Sequence, residues 1–133
     1  MYEVVVESHF HASHHLKLYD GSWEEPHEHV WKVAVLLRSE KLDSMGVVVD
    51  FEALKPCLKK VLSEFDHGDF NEHPEFRNAR CNPSTENIAR LIFERLVQRF
   101  KTNNAQIVKA TVWETPDASA SYVSNRHCEE RAK

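Results

Sequence analysis

An α+β domain is what this chain of 133 residues predicts. Three observations point there. Runs with the bulk of strand formers stand near both ends of the chain. Two stretches with apolar residues at helical spacing lie between them. The resulting order, strand-strand-helix-helix-strand-strand, most simply makes an antiparallel four-stranded sheet with both helices on one face. A hydrophobic fraction of 41% and a charged fraction of 29% are ordinary for a globular chain. The length suits one domain over residues 1–133, with a core that needs no disulfide staples.

The elements follow in order. Val4, Val5 and Val6 open a β-rich run through Phe10 that leads into a histidine-rich segment ending at His15. Lys17 to Pro26 holds Asp20-Gly21-Ser22 and a proline and reads as a loop. It joins the first run to a second strand from His29 to Arg38, antiparallel to it. Ser44-Met45-Gly46 reads as a turn into a short strand, Val47-Val48-Val49. Asp50 is placed to cap a helix from about Phe51 to Phe65, whose apolar stripe is Phe51, Leu54, Leu58, Val61, Leu62 and Phe65. Pro56 interrupts that pattern, so the helix either kinks or begins its regular part later. Asp66 to Pro83 is expected to be an irregular loop. A second helix opens at Pro83-Ser84-Thr85-Glu86 and runs to about Phe100, burying Ile88, Leu91, Ile92, Leu96 and Phe100. Ala105 to Trp113 and Ala118 to Val123 read as the last strands, joined by a turn at Thr115-Pro116-Asp117. The tail after Asn125 is polar and reads as frayed. Open sheet edges of this kind call for covering or for pairing with another subunit.

Composition excludes several functions. A formal net charge of -4 argues against general nucleic-acid binding, which needs a concentrated basic face. No stretch approaches the ~20 apolar residues that span a bilayer. Met1-Tyr2-Glu3 lacks the basic and apolar regions of a signal peptide. The three cysteines, Cys57, Cys81 and Cys128, form no CxxC pair and read as reduced thiols. A cytoplasmic protein is the expectation.

Histidine is the unusual count. Of nine, six fall between His9 and His29. His27 and His29 are two apart, so on a strand their imidazoles project from one face. His14, near the end of the preceding strand, is placed to reach across the pair. Three neutral imidazoles make a catalytic zinc site that keeps one position open. Spacing alone leaves a solvated, histidine-rich hairpin end as the alternative.

Motifs in sequence order carry a resemblance. Phe10-His11-Ala12-Ser13-His14-His15-Leu16 resembles the Phe-x-Ala-(Ala/Ser)-His-x-Leu segment of the 6-pyruvoyl-tetrahydropterin synthase / 6-carboxytetrahydropterin synthase family, whose histidine binds zinc. His27-Glu28-His29 occupies the place of its His-Gly-His motif. Gly46-Val47-Val48-Val49-Asp50-Phe51 with Leu54-Lys55 is similar to its strand-to-helix turn. Phe65-Asp66-His67 is similar to its (Leu/Phe)-Asp-His motif, and Asn82-Pro83-Ser84-Thr85-Glu86-Asn87 to its Asn-Pro-Thr-(Ser/Thr)-Glu segment. Trp113-Glu114-Thr115 falls where the family keeps a glutamate that anchors the pterin ring. The likeness spans about residues 4 to 124.

The resemblance implies the tunnelling fold, in which sheets of several subunits join into a barrel. It implies a homo-oligomer, trimer or hexamer, with active sites between subunits. It implies Zn2+ held by His14, His27 and His29, and 7,8-dihydroneopterin triphosphate as substrate. Asp66 and His67 would relay protons, Glu114 would accept the pterin's ring N–H and amino groups, and Thr85 and Glu86 would approach the pterin. The cations for the triphosphate, among Lys17, Arg77, Arg80 and Arg126, are not ranked by the sequence.

Departures from the pattern matter too. The family's catalytic cysteine, four residues before the first histidine of His-Gly-His, is replaced by Trp23. Cys81 is the only cysteine close to a site motif. A subgroup instead carries Glu-x-x-His-Gly-His, and Glu24 holds that glutamate's position. Members of that subgroup cleave the side chain to 6-hydroxymethyl-dihydropterin, for folate synthesis. A carboxylate can then serve as general base. Glu28 replaces the family glycine and, by strand alternation, points away from the metal. Two other readings stand beside this one: a catalytically silent homologue that binds zinc and pterin, and a non-enzymatic metal-binding interaction module.

Overall fold

The computed structural model describes residues 1–125. The expected tail after Asn125, with Arg126 and Cys128, lies outside the described residues. Strand alternation organises the rest. Strand β1 (Tyr2–His14) pairs antiparallel with β2 (His27–Ser39) along its whole length, from Tyr2 opposite Ser39 to His14 opposite His27. Val6, Phe10 and Ala12 of β1, and Trp31, Val33, Val35 and Leu37 of β2, are buried on one side of the sheet. Val5 and Val30 stand exposed on the other. Strand β4 (Gln106–Thr115) continues the sheet beside β2, and β5 (Ala118–Val123) closes it beside β4, all antiparallel.

Two helices cover the buried side. Helix α1 (Phe51–Leu62) begins at the expected cap, where Asp50 Oδ1 accepts the Glu52 N–H at 2.9 Å. It runs through Pro56, so of the two alternatives the later start is ruled out: the helix begins at Phe51. It stops three residues before Phe65, whose ring is buried by the turn that follows. Helix α2 (Thr85–Arg99) starts two residues after Pro83, because Ser84 is the cap and its Oγ accepts the Asn87 N–H. Leu54, Leu58, Val61, Ile88, Ile92 and Leu96 join the sheet's buried residues in one core.

Two sequence expectations are corrected. The sheet has five strands and is mixed, in the order β3-β1-β2-β4-β5, where the sequence predicted four antiparallel strands. The extra strand β3 (Gly68–Asp69) lies inside the presumed loop and pairs parallel with β1 at Ala12 and Ser13. The chain reaches that edge by a left-handed residue, His67 (φ 62°), whose N–H donates to the His11 carbonyl at 2.6 Å. A two-residue strand is too short to show an alternation. The rest of 66–83 is irregular apart from 3₁₀ turns at Phe70–Glu72 and Arg77–Ala79.

The second correction is Val47–Val49, which is not a strand. A turn closed by Asp43, with Gly46 at φ 77°, brings the run to the core, where Val48 and Val49 are buried. Its carbonyls are met by the turn and by a side chain rather than by a neighbouring strand: the Asp43 N–H donates to the Val47 carbonyl at 3.0 Å, and Asn104 Nδ2 donates to the Val47 and Val48 carbonyls. The β-branched bulk marked burial there, not extension. Among the described residues no helix is long and apolar enough to cross a membrane.

Candidate metal centre

The buried stripe of the sheet turns polar at one end. Ala12 is paired with His29 and His14 with His27, so the side of the sheet that buries Phe10 and Trp31 also carries His14, His27 and His29. Trp31 is fully buried beneath them, its ring centroid 4.9 Å from that of His14 and 5.4 Å from that of His29. Its indole N–H donates to the Ala12 carbonyl at 3.0 Å, which fixes the ring. The histidines therefore stand on a packed aromatic floor, not on a solvated hairpin end.

Hydrogen bonds to backbone carbonyls orient two of the rings. His14 Nδ1 donates to Pro83 O at 2.8 Å and His27 Nδ1 donates to Glu25 O at 3.0 Å. Such partners set the tautomer and leave Nε2 as the free lone pair. The three Nε2 atoms converge on Glu114, near the end of β4. Its Oε1 lies 2.9 Å from His14 Nε2, 3.1 Å from His29 Nε2 and 3.6 Å from His27 Nε2. One ligand atom from each of the four lies within 4.8 Å of every other.

Three imidazole nitrogens and a carboxylate oxygen facing one another make a set that could hold a cation. His14 is 1% exposed and already donates through Nδ1, so bonding Glu114 through an N–H as well would require a charged, buried imidazolium. His29 Nε2 is buried and has no hydrogen-bond partner, although Glu114 Oε1 is only 3.1 Å away. Proximity without alignment is what two ligands of a common ion show. Burial pushes the His29 imidazole below its usual range, against the pull of Glu114, and so favours the neutral ligand form. A borderline ion such as Zn2+ suits three imidazoles and a carboxylate.

The segment leaving His14 is clamped from both sides. Asn71 accepts the His15 N–H through Oδ1 and donates through Nδ2 to the His15 carbonyl, each at 2.9 Å. Asn82 does the same for Lys17, at 2.8 and 2.9 Å. Both side chains act as substitute strand neighbours. On the opposite side Glu24 Oε1 accepts the Leu16 N–H at 2.9 Å, while the Glu24 N–H donates to the Leu16 carbonyl at 3.0 Å. Glu24 is thus half-buried and fixed, with its second carboxylate oxygen uncommitted among these bonds. Trp23 beside it is 47% exposed and places its ring 5.1 Å from that of His15.

The remaining predicted site residues divide. Thr85 is brought to the cluster, its Oγ1 3.5 Å from Glu114 Oε2, while Glu86 is exposed in the first turn of α2. Asp66 and His67 are not brought to it within this chain. They meet His11, which faces the other side of the sheet from His14: Asp66 Oδ1 accepts the His11 N–H at 2.9 Å, and the His67 ring stacks on His11 at 5.6 Å. The His11 N–H lowers the Asp66 carboxyl, burial opposes it, and His67 and His11 add to the lowering. Cys81 Sγ donates to the Glu75 carbonyl at 3.6 Å. Sequence reasoning missed Asn71 and missed the place of Glu114 among the donors. Asn71 lies in a polar loop without periodicity, and only the register of β4 against β2 brings Glu114 to the histidines.

Comparison with known proteins agrees with this geometry. The family model described as 6-pyruvoyl tetrahydropterin synthase matches residues 3–125. A dihydroneopterin monophosphate aldolase of Pyrococcus furiosus is 31% identical over 111 residues, covering 84% of this chain and 88% of that one. A 6-carboxy-5,6,7,8-tetrahydropterin synthase of Bacillus subtilis is 29% identical over 126 residues, covering 91% and 84%. The solved structure of the Caenorhabditis elegans 6-pyruvoyl tetrahydropterin synthase superposes with a TM-score of 0.76 at 26% identity, over 94% of this chain and 98% of that one.

Proposed function

The chain belongs to the 6-pyruvoyl tetrahydropterin synthase family of pterin-processing enzymes, and from that premise we propose that it is a zinc-dependent lyase that cleaves the side chain of a phosphorylated 7,8-dihydroneopterin to 6-hydroxymethyl-dihydropterin. The observation that carries the metal requirement is the convergence of His14, His27, His29 and Glu114, with His14 and His27 already donating through Nδ1 to backbone carbonyls. Support for cleavage over elimination comes from Trp23 at the place of the family's cysteine, from Glu24 beside it, and from the Pyrococcus furiosus relative, which is named an aldolase. The substrate is 7,8-dihydroneopterin triphosphate or, as that relative's name suggests, the monophosphate.

Zinc supplies a Lewis acid that lowers the pKa of a side-chain hydroxyl held beside it. The protein's own groups do the rest. Glu114 and Thr85 hold the pterin edge. The uncommitted oxygen of Glu24 takes the proton from the C2′ hydroxyl, whose lone pair becomes the new carbonyl as the C1′–C2′ bond breaks. The electron pair left on C1′ is delocalised into the pterin and then protonated by His67, which Asp66 orients. The products are the hydroxymethyl pterin and a phosphorylated two-carbon aldehyde.

His67 lies on the other side of β1 from His14 in a single chain, so this mechanism needs a second copy. The uncovered edges of β3 and β5 are where sheets of neighbouring copies join into the barrel of the tunnelling fold, and each site is then shared. The experiment is product identification by mass after incubating the zinc-loaded protein with each phosphate ester. The hydroxymethyl pterin is expected; a pyruvoyl or carboxy product would overturn the role of Glu24, and unchanged substrate would leave the silent homologue. Mixing His14→Ala and His67→Ala subunits is expected to restore turnover that neither has alone, and no recovery would rule out shared sites.

A further inference from the structure

We propose that Asn71 and Asn82 are positioning residues for Glu24. They hold the backbone of His15 and Lys17 from one side, so that Leu16 between them holds one oxygen of Glu24 and leaves the other aimed at the substrate. This rests on the reading of Glu24 as the base and adds to it what aims that base. Beyond the end of β1, the backbone N–H and carbonyl of His15 are both taken by Asn71, and those of Lys17 by Asn82. Leu16 turns the other way, as alternation along a strand-like segment requires. Its N–H donates to Glu24 Oε1 and its carbonyl accepts the Glu24 N–H. The residue types fit these tasks. An amide side chain presents an acceptor and a donor together, so it replaces a neighbouring strand at one residue. A carboxylate only accepts, so the Leu16 carbonyl falls to the Glu24 main chain.

An irregularity in the pairing puts the carboxylate there. His14 lies opposite His27, and Lys17 lies opposite Trp23. Three steps along the first segment thus meet four along the second, and the extra residue falls within Glu24-Glu25-Pro26. Such bulges re-aim a side chain, and here a carboxylate oxygen, not a main-chain carbonyl, meets the Leu16 N–H. Both asparagines are themselves anchored. The Asn71 N–H donates to Asp69 Oδ1 at 3.0 Å, and the Asn82 carbonyl accepts from Asn87 Nδ2, in the first turn of α2, at 2.9 Å. Among the described residues the Glu24 carboxylate has no hydrogen bond besides that to Leu16. Water would satisfy the same backbone groups of His15 and Lys17. What water does not supply is a fixed position, and a displacement of about 1 Å costs about 10²-fold in rate.

The test measures turnover of both phosphate esters of 7,8-dihydroneopterin by the full chain at saturating zinc, and hydrogen exchange at the Leu16 amide by NMR. Asn71→Ala and Asn82→Ala are each expected to lower kcat about 10–100-fold, with KM within about threefold of wild type. Exchange at Leu16 is expected to rise at least about tenfold, although neither asparagine bonds that amide. Glu24→Gln keeps an acceptor for Leu16 and is expected to lower kcat about 10²–10⁴-fold. Adding Asn71→Ala to Glu24→Gln then lowers kcat by no more than about twofold further, since residues that act through one another are not additive. Asn71→Asp, which keeps the acceptor for His15 and loses the donor, decides the same points if the alanine variant does not fold. Wild-type kcat in the asparagine variants, unchanged exchange at Leu16, or a full additive loss in the double variant overturns the positioning role and leaves Glu24 as the base. Wild-type turnover in Glu24→Gln, or no turnover by the wild type, overturns the functional reading and the positioning role with it.

Discussion

His14 and His11 stand three residues apart on β1 and on opposite sides of the sheet, and their surroundings contrast. The His14 side is built from rigid parts: a strand pair in full register, a buried Trp31, and carbonyls of Pro83 and Glu25 that orient the rings. The His11 side is an edge. Asp66 and His67 are 39% and 77% exposed there and are held by backbone contacts of a tight turn rather than by packing. The proposed metal site needs its ligands fixed before an ion arrives, and the core holds the three histidines in that way. In the proposed mechanism Asp66 and His67 meet substrate at a boundary with a second copy, and there they need only to be presented.

The sharpest way to break that contrast is to remove one residue from each side. His14→Ala is expected to lower zinc affinity by more than about 100-fold, since losing a ligand costs more than losing a group that only hydrogen-bonds to a ligand. It also leaves the buried Pro83 carbonyl unpaired, at a cost of about 1–3 kcal/mol measured by denaturant unfolding. His67→Ala is expected to keep zinc affinity and unfolding midpoint near wild type while turnover falls by about 10²–10⁴-fold. Zinc loss in His67→Ala would show that the two sides are not separate.

The same contrast explains what the sequence made legible. Histidines at positions 27 and 29 follow the strand's period of two, and the apolar residues that continue their stripe, Trp31, Val33 and Val35, are on the same strand. One pattern therefore encoded both the core face and the donors on it. Nothing local encodes that Gly68–Asp69 docks parallel beside Ala12, that Asn71 replaces a strand for His15, or that Glu114 reaches the histidines. Those are contacts between distant parts of the chain, made by single residues. The valine run at 47–49 misled for the complementary reason: its burial was visible, but whether a partner strand stood beside it was not.

Asn71 links the two sides, since it lies in the loop after His67 but serves the segment after His14. Asn71→Ala is expected to cost about 1–2 kcal/mol for two lost backbone partners and to weaken zinc binding by less than about tenfold. A full loss of zinc would mean that the strand pair alone does not hold His14. Further along the same loop, His73 Nε2 bonds Glu64 Oε2 at 2.7 Å and Arg95 bonds Glu64 Oε1 at 3.2 Å, tying the loop to the turn after α1 and, through Glu64, to α2. Burial raises the Glu64 carboxyl, but His73 and Arg95 together bring it below its usual range. A depressed carboxylate contributes stability that is present above its unfolded value near about 4.3 and lost as pH falls through the folded one. Arg95→Met is therefore expected to be about 1–2 kcal/mol less stable at pH 7, with the difference narrowing below about pH 4. A constant difference across that range would place the effect in packing of the arginine stem instead.

The smallest expected effect tests whether the exposed edge stores strain. His67 sits at φ 62°, where a side chain costs about 1 kcal/mol and glycine does not. What the ring gains in return is a stacking contact with His11 at 5.6 Å and an approach to Asp66 of 3.6 Å, both at the surface. Such contacts contribute little, so His67→Gly should keep the His67 N–H bond to His11 and relax the backbone. Glycine's greater freedom in the unfolded chain offsets part of that gain. A net rise of up to about 0.5 kcal/mol, or about 1–3 °C in melting temperature, is expected together with the turnover loss of His67→Ala. Raised stability with lost activity is the signature of a residue kept for chemistry. A fall in stability would instead show that the ring's contacts outweigh the strain, and that this edge is as firmly built as the side that holds His14.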